Sequence, residues 1–276
     1  MIHSHEEILN LCTKIDMPEP MTAKIAKELA EFDFSAVTPF LTQLQNPKTA
    51  MYATKCICGK LDNYGLRIMV ALLDAALVTK KEIYEKKKIS EKIFIDTMKN
   101  FTISVQGYHG VNGSYGFDFA YWMWRHFAGM LFRLGTLEFE IYKAENSKHF
   151  EPGTPLLSVH IPSDAVLSRE ELDNSYLQAR KFFKGTEYEN AQFYCDSWLL
   201  SPKLRDMLPE DSGILRFMND YKIIDTSNGD TANIRVFKMH YLSIDELPEK
   251  TSLQRKLKQL LATGENLGEG AGVIIP

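Results

Sequence analysis

The hydrophobic period of this chain changes once, near Phe132, and that change limits the fold more than any other feature. Before it, apolar residues recur at helical spacing. Ser4 and Glu7 form a capping-box pattern ahead of Ile8, Leu9, Leu11, Cys12 and Ile15. In such a box the serine satisfies a first-turn amide and the glutamate reaches back to the serine's own. Pro18 and Pro20 are expected to end that helix, and residues 21–32 read as the next, with Ile25, Leu29 and Phe32 on one stripe. Pro47 suits a helix start and predicts a helix over 50–60. Residues 66–84 are apolar on most sides and read as the central helix of this half. Ser90 caps another, carrying Ile93, Ile95, Met98 and Phe101. Gly107, Gly110, Gly113 and Gly116 then predict a loop, and the aromatic stretch 117–131 a core or a domain interface.

After Phe132 the period is two. Leu137, Phe139 and Ile141 alternate with Glu138, Glu140 and Tyr142, the pattern of a half-buried strand. Leu157, Val159 and Ile161 alternate with Ser158 and His160 in a second strand, closed by Pro162. Ser168 with Glu171 caps a helix bearing Leu172, Tyr176, Ala179 and Phe183, and 191–197 is a third strand. A short helix follows Pro202, and 214–221 forms another apolar segment. Ile223 and Ile224 with 234–237 predict a hairpin through Asn228 and Gly229. Thr251 and Gln254 cap a last helix ended by Gly264, and 271–275 suits an edge strand. Strands interleaved with helices argue for one mixed sheet covered by helices. The fold class is therefore α+β, with a helical domain over 1–131 and a mixed-sheet α/β domain over 132–276.

Composition narrows the partners. With 276 residues, 45% hydrophobic and 25% charged, the chain is expected to bury a substantial core. Its net charge of −4 leaves no basic excess to neutralise phosphates, so nucleic acid is not an expected partner. No apolar run approaches the roughly 20 residues that span a bilayer, and the first residues lack the pattern of a signal peptide. No membrane partner and a cytoplasmic location are expected, with the oligomeric state left open. The four cysteines, Cys12, Cys56, Cys58 and Cys195, read as reduced thiols. Cys56 and Cys58 would diverge on a helix and have no second ligand pair, so no metal is expected.

Four segments carry a resemblance: FRLGTLEFE (132–140), HIPSDAVLS (160–168), CDSWLLSPKLRDMLPEDSGILRF (195–217) and LPEKTSLQRKLKQLLATG (247–264). They resemble a bacterial family of acyltransferase-domain proteins, in which a helical N-acyltransferase N-terminal domain precedes a GNAT-like C-terminal domain. The resemblance implies an acyltransferase moving an acyl group, with acyl-CoA as donor, to an amine or hydroxyl of a small molecule. In that superfamily a strand leads into a helix whose N-terminus and glycine-rich backbone hold the donor's pyrophosphate. The matching loop here, 163–168, reads SDAVLS; it has no glycine, and Asp164 opposes phosphate. A second reading follows from that departure: a non-catalytic module that binds a small ligand or a protein on a degenerate transferase scaffold.

The candidate catalytic residues are His160, Cys195, Glu138 and Tyr194. An imidazole titrates near neutrality and suits a general base. A thiolate at Cys195, near His160, could carry an acyl group or hydrolyse a thioester. Glu138 and Glu140 leave one face of a strand, roughly 7 Å apart, and either could strip a proton from an acceptor. Tyr194 could protonate a leaving thiolate. For the donor, the resemblance points to Ser163 and Ser168 in the loop, and to Ser197 and Trp198 where the third strand ends.

Overall fold

The computed structural model describes residues 1–61, 65–145, 147–237 and 243–274. The chain forms two compact units: Met1–Leu134 with Pro162–Asp164, and Gly135–Ile161 with Ala165–Pro276. Among the described residues no helix is long and apolar enough to cross a membrane.

The first unit is built of helices up to Phe127 and ends in a short strand. Helix α1 (His5–Lys14) starts at the expected capping box, where the Glu7 carboxylate accepts the Ser4 N–H at 2.8 Å and Ser4 Oγ accepts the Glu7 N–H at 3.3 Å. Helix α2 (Glu19–Glu31) begins at the proline pair that was expected only to end its predecessor; Pro20 sits in the first turn, where a missing amide costs nothing. After α3 (Thr38–Leu41) and α4 (Ala50–Lys60) comes the central helix α5 (Leu66–Thr79), around which α1, α2 and α3 pack. Residues Ile68 to Leu73 of α5 are wholly buried, each large aliphatic side chain contributing about 1.5–3 kcal/mol. One charge lies among them. Asp74 has 0% exposure, and its carboxylate accepts the N–H groups of Ile2 (2.6 Å) and His3 (3.0 Å) and pairs with His3 Nδ1 (2.7 Å). Those contacts compensate the desolvation that an isolated buried carboxylate would suffer.

Beyond α5 the backbone widens into a π-helical turn over Lys80–Glu85, followed by α6 (Glu91–Met98), capped by Ser90, α7 (Asn100–Asn112) and α8 (Trp124–Phe127). The expected glycine loop is corrected here. Gly107 and Gly110 lie inside α7, with open space around both. Burial of Phe101, Thr102 and Val105 anchors the helix earlier along its length and overrides the weak local preference of glycine. Only Gly113 acts as a terminator, in the left-handed conformation at φ 66°.

The sheet, among the described residues, has six strands: β1 (Leu131–Leu134), β2 (Leu137–Lys143), β3 (Pro155–His160), β4 (Gln192–Ser197), β5 (Tyr221–Ser227) and β6 (Glu269–Ile274). Their order is β1-β2-β3-β4-β6-β5, with β3 and β4 parallel and β2–β3, β4–β6 and β5–β6 antiparallel. The crossover from β3 to β4 is α9 (Arg169–Phe182). A three-residue 3₁₀ turn, Trp198–Leu200, follows β4, and α10 (Leu204–Met207) and α11 (Gly213–Met218) lead to β5. Helices α12 (Thr231–Phe237) and α13 (Ser252–Ala262) lead back to β6.

Two expectations fail in this unit. The hairpin does not form: residues 234–237 belong to α12, which buries Ala232, Asn233 and Phe237. The C-terminal strand is not an edge either. It inserts between β4 and β5, which becomes the edge; Ile275, the last residue expected in that strand, lies outside the described residues. Glycine permits the insertion, because a Cβ at Gly270 would stand 2.2 Å from the Leu200 carbonyl oxygen.

Candidate active site

The parallel pair β3–β4 is joined over a short length only. Leu156, Leu157 and Ser158 face Gln192, Phe193 and Tyr194. Beyond that point each strand pairs outward: Val159 and His160 with Phe139 and Glu138 of β2, and Cys195, Asp196 and Ser197 with Gly272, Ala271 and Gly270 of β6. The pairing of the two parallel strands thus stops short of their carboxyl ends, leaving an opening between them. Ligands of open α/β sheets bind at such places.

Register assigns every side chain to a face. Phe139, Val159, Leu157, Phe193 and Cys195 lie on the face covered by α9. Phe139 packs 5.4 Å from the Phe193 ring, and Tyr176 of α9 lies 5.3 Å from the latter. Glu138, Glu140, Ser158, His160, Tyr194 and Asp196 share the opposite face. There His160 Nε2 lies 2.8 Å from Glu140 Oε2. Both glutamates, expected on the polar side of a half-buried strand, are buried, at 3% for Glu138 and 9% for Glu140. Tyr194 stands at the apex of the opening, His160 on one arm and Asp196 on the other. Burial, and then the neighbouring Asp196 charge, push the Tyr194 phenol up to about 12, so it stays protonated at neutral pH.

Cys195 does not join them. It is fully buried on the α9 face, one residue out of phase with Tyr194 and Asp196. Burial also pushes its thiol far above the ordinary range, so no thiolate forms near neutrality. The expected Cys195–His160 arrangement, and with it a cysteine hydrolase, is corrected by the two-residue alternation of the strand.

The residues expected to hold the donor are dispersed. Ser163 is exposed in the segment that clusters with the first unit, where Arg133 Nη2 lies 3.0 Å from Asp164 and offsets the charge expected to oppose phosphate. Ser168 is the N-cap of α9, its Oγ accepting the Glu171 N–H at 3.3 Å. The loop before it is held by side chains: Thr136 Oγ1 accepts the Val166 N–H at 2.7 Å, and Arg216 Nη1 donates to the Leu167 carbonyl at 2.8 Å. These contacts occupy backbone groups that a glycine-rich loop would leave open. The first-turn amides ahead of Glu171 still lack intrahelical partners, as in any helix, although Glu170 and Glu171 compete there for the positive end of the dipole. Ser197 Oγ caps the 3₁₀ turn by accepting the Leu199 N–H at 3.2 Å, and Trp198 is half-buried within that turn.

On the polar face the opening adjoins a cavity of about 370 Å³ that Tyr194 and Asp196 help to line. Sequence reading missed its far wall, Asp225, for a definite reason. A bulge at Ile224 shifts the β5 register, so that Ile223 faces Gly272 and Asp225 faces Ala271. The extra residue turns Asp225 onto the polar face, where strict alternation from Tyr221 and Ile223 would have placed it under α9. Among the described residues no group of three His, Cys, Asp or Glu side chains is placed to hold a metal ion.

Residues 131–274 match the model of the GNAT-like C-terminal domain, and residues 6–129 that of the N-acyltransferase N-terminal domain. The chain belongs to this acyltransferase family. No curated protein matches the sequence. Among solved structures, an acyltransferase mutant in complex with octanoyl-CoA is 21% identical, with a TM-score of 0.78 over 100% of this chain and 90% of that one. An acyltransferase in complex with decanoyl-CoA and teicoplanin is 20% identical, with a TM-score of 0.76 over 99% of this chain and 89% of that one. At these identities the likeness shows the fold alone. This acyltransferase-family chain thus shares the architecture of proteins solved with acyl-CoA, while the loop ahead of its α9, residues 163–168, holds no glycine.

Proposed function

We propose that the chain transfers an acyl group from acyl-CoA to an amine or hydroxyl of a small molecule, at the opening between β3 and β4. The observation that carries this reading is the early parting of the parallel strands, with His160, Glu140 and Tyr194 gathered on one face of it. Past Ser158 and Tyr194 the two strands no longer pair with each other, and the gap between them would take the amide-bearing arm of the donor. Ser168 and the first turn of α9 open the crossover that follows β3, and the phosphates of the donor would dock there.

The residues divide the chemistry as follows. Glu140 orients the His160 imidazole and stabilises it once protonated. The acceptor nitrogen or oxygen attacks the thioester carbonyl and gives its proton to His160. A C–N or C–O bond forms and the C–S bond breaks. The departing thiolate takes the proton of the Tyr194 hydroxyl, and the proton held by His160 returns to the tyrosine through solvent. Glu138, opposite His160 in register, keeps a second carboxylate beside the imidazole. Cys195 has no part.

Titration calorimetry with octanoyl-CoA, together with a thiol-release assay in the presence of simple amines, tests the proposal. Saturable binding and acceptor-dependent release of free CoA are expected. Absence of binding by both octanoyl-CoA and acetyl-CoA removes it, and leaves the second reading: a small-ligand module whose loop is closed by Thr136 and Arg216.

A further inference from the structure

The cavity beside Tyr194 is charged in an uneven way. Its walls include the aromatic rings of Tyr142, Phe150 and Tyr194, and the carboxylates of Asp196 and Asp225. Phe150 meets Tyr194 edge-on at 5.8 Å, which fixes an aromatic corner. Asp225 already has partners: the Lys148 ammonium, its Nζ at 2.7 Å, and His149 Nε2 at 3.5 Å. Its carboxyl is accordingly held below the usual carboxylate range, chiefly by Lys148. Asp196 is different. Among the described residues no cation lies within ion-pair distance of it, and its charged neighbours are Glu269 and Asp225. Partial loss of solvent, and then those like charges, hold its carboxyl above the usual range. The Tyr194 hydroxyl is its hydrogen-bond partner and offsets this in part; a cation arriving there would relieve the repulsion further, and aromatic faces nearby add to its attraction.

His160 and Glu140 lie outside the lining of this cavity, which shares Tyr194 with the proton-handling groups. His160 stands on the opposite arm of the opening from Asp196. An acceptor whose nucleophile sits at His160 would therefore enter the cavity with another part of itself. Space of about 370 Å³ is that of a small ligand site, not of a single solvent molecule.

We propose that Asp196 selects acceptors carrying, besides the nucleophile, a second positively charged group, which it receives in the cavity walled by Tyr142, Phe150 and Tyr194. The ligand class is thus a diamine or a larger molecule with two basic groups. This rests on the acyl-transfer reading for its place in a reaction, but the binding itself is testable without turnover.

The experiment compares cadaverine with pentanolamine, which has the same chain length and one basic group fewer. Calorimetric titration of the intact protein at low salt is expected to show cadaverine binding about three- to fivefold more tightly, the scale of one exposed ion pair. Asp196→Asn should abolish that preference, and Lys148→Ala, which leaves Asp225 without its lysine, should enlarge it. In turnover with octanoyl-CoA the preference should appear in KM and not in kcat. Equal binding of the two probes, or a preference unchanged by Asp196→Asn, overturns the inference while the transferase reading stands. Failure of octanoyl-CoA to bind removes the transferase reading and leaves the diamine preference to be judged on its own titration.

Discussion

The two faces of one sheet divide the work of this protein. On the α9 side, Phe139, Val159, Phe193 and Cys195 are buried against a helix stripe of Leu172, Ser175, Tyr176 and Ala179. On the other side the residues between them, Glu138, Glu140, His160, Tyr194 and Asp196, form a charged and aromatic surface around an opening. The strands are the same and the backbone is the same. A shift of one residue along a strand separates a side chain that holds the fold from one placed for proton transfer. The two faces should therefore answer differently to substitution.

The largest effect is expected from Phe139→Ala. Removing a fully buried ring that packs against Phe193 and Tyr176 should cost about 3–5 kcal/mol, read as a drop in the urea midpoint. A loss under about 1 kcal/mol would mean that the α9 face is not the structural one. Next comes His160→Asn on the polar face. There kcat/KM should fall roughly a hundredfold, the scale of general base catalysis, with the unfolding midpoint nearly unchanged. A large midpoint shift with normal turnover would invert the comparison.

Alkaline pH gives a graded effect on both faces. The Cys195 thiol and the Tyr176, Tyr194 and Tyr221 phenols are all raised by burial. A raised acid binds more protons folded than unfolded, so its stabilisation is complete below the unfolded value and falls as pH climbs past it. Stability should hold to about pH 8.5 and decline progressively beyond, through the thiol range and then the phenol range near 10. Urea melts at pH 7.5, 9 and 10.5 check this, and an unchanged midpoint across the series would contradict the burial. The smallest effect is expected from Cys195→Ala, about 1 kcal/mol or less in stability and under threefold in kcat, since a buried thiol behaves as a small hydrophobe. A hundredfold loss of turnover would put the thiol back into the chemistry and erase the distinction between the faces.

Much of this was legible in the order of residues. The helical half, the change of period near Phe132, the caps at Ser4, Ser90, Ser168 and Thr251, and the strand carrying Glu138 and Glu140 follow from local periodicity and capping chemistry. These depend on neighbours a few positions apart, and the sequence holds that information directly. Alternation also placed His160 on the polar side of its strand. What it could not supply was register between strands far apart in the chain. Only the tertiary structure put Cys195 on the face away from His160, ended the β3–β4 pairing at Ser158 and Tyr194, inserted β6 beside β4, and turned Asp225 toward the cavity through a bulge. Local period says which residues alternate. Which set faces the helix, and what stands across from it, is decided by the packing of the whole sheet.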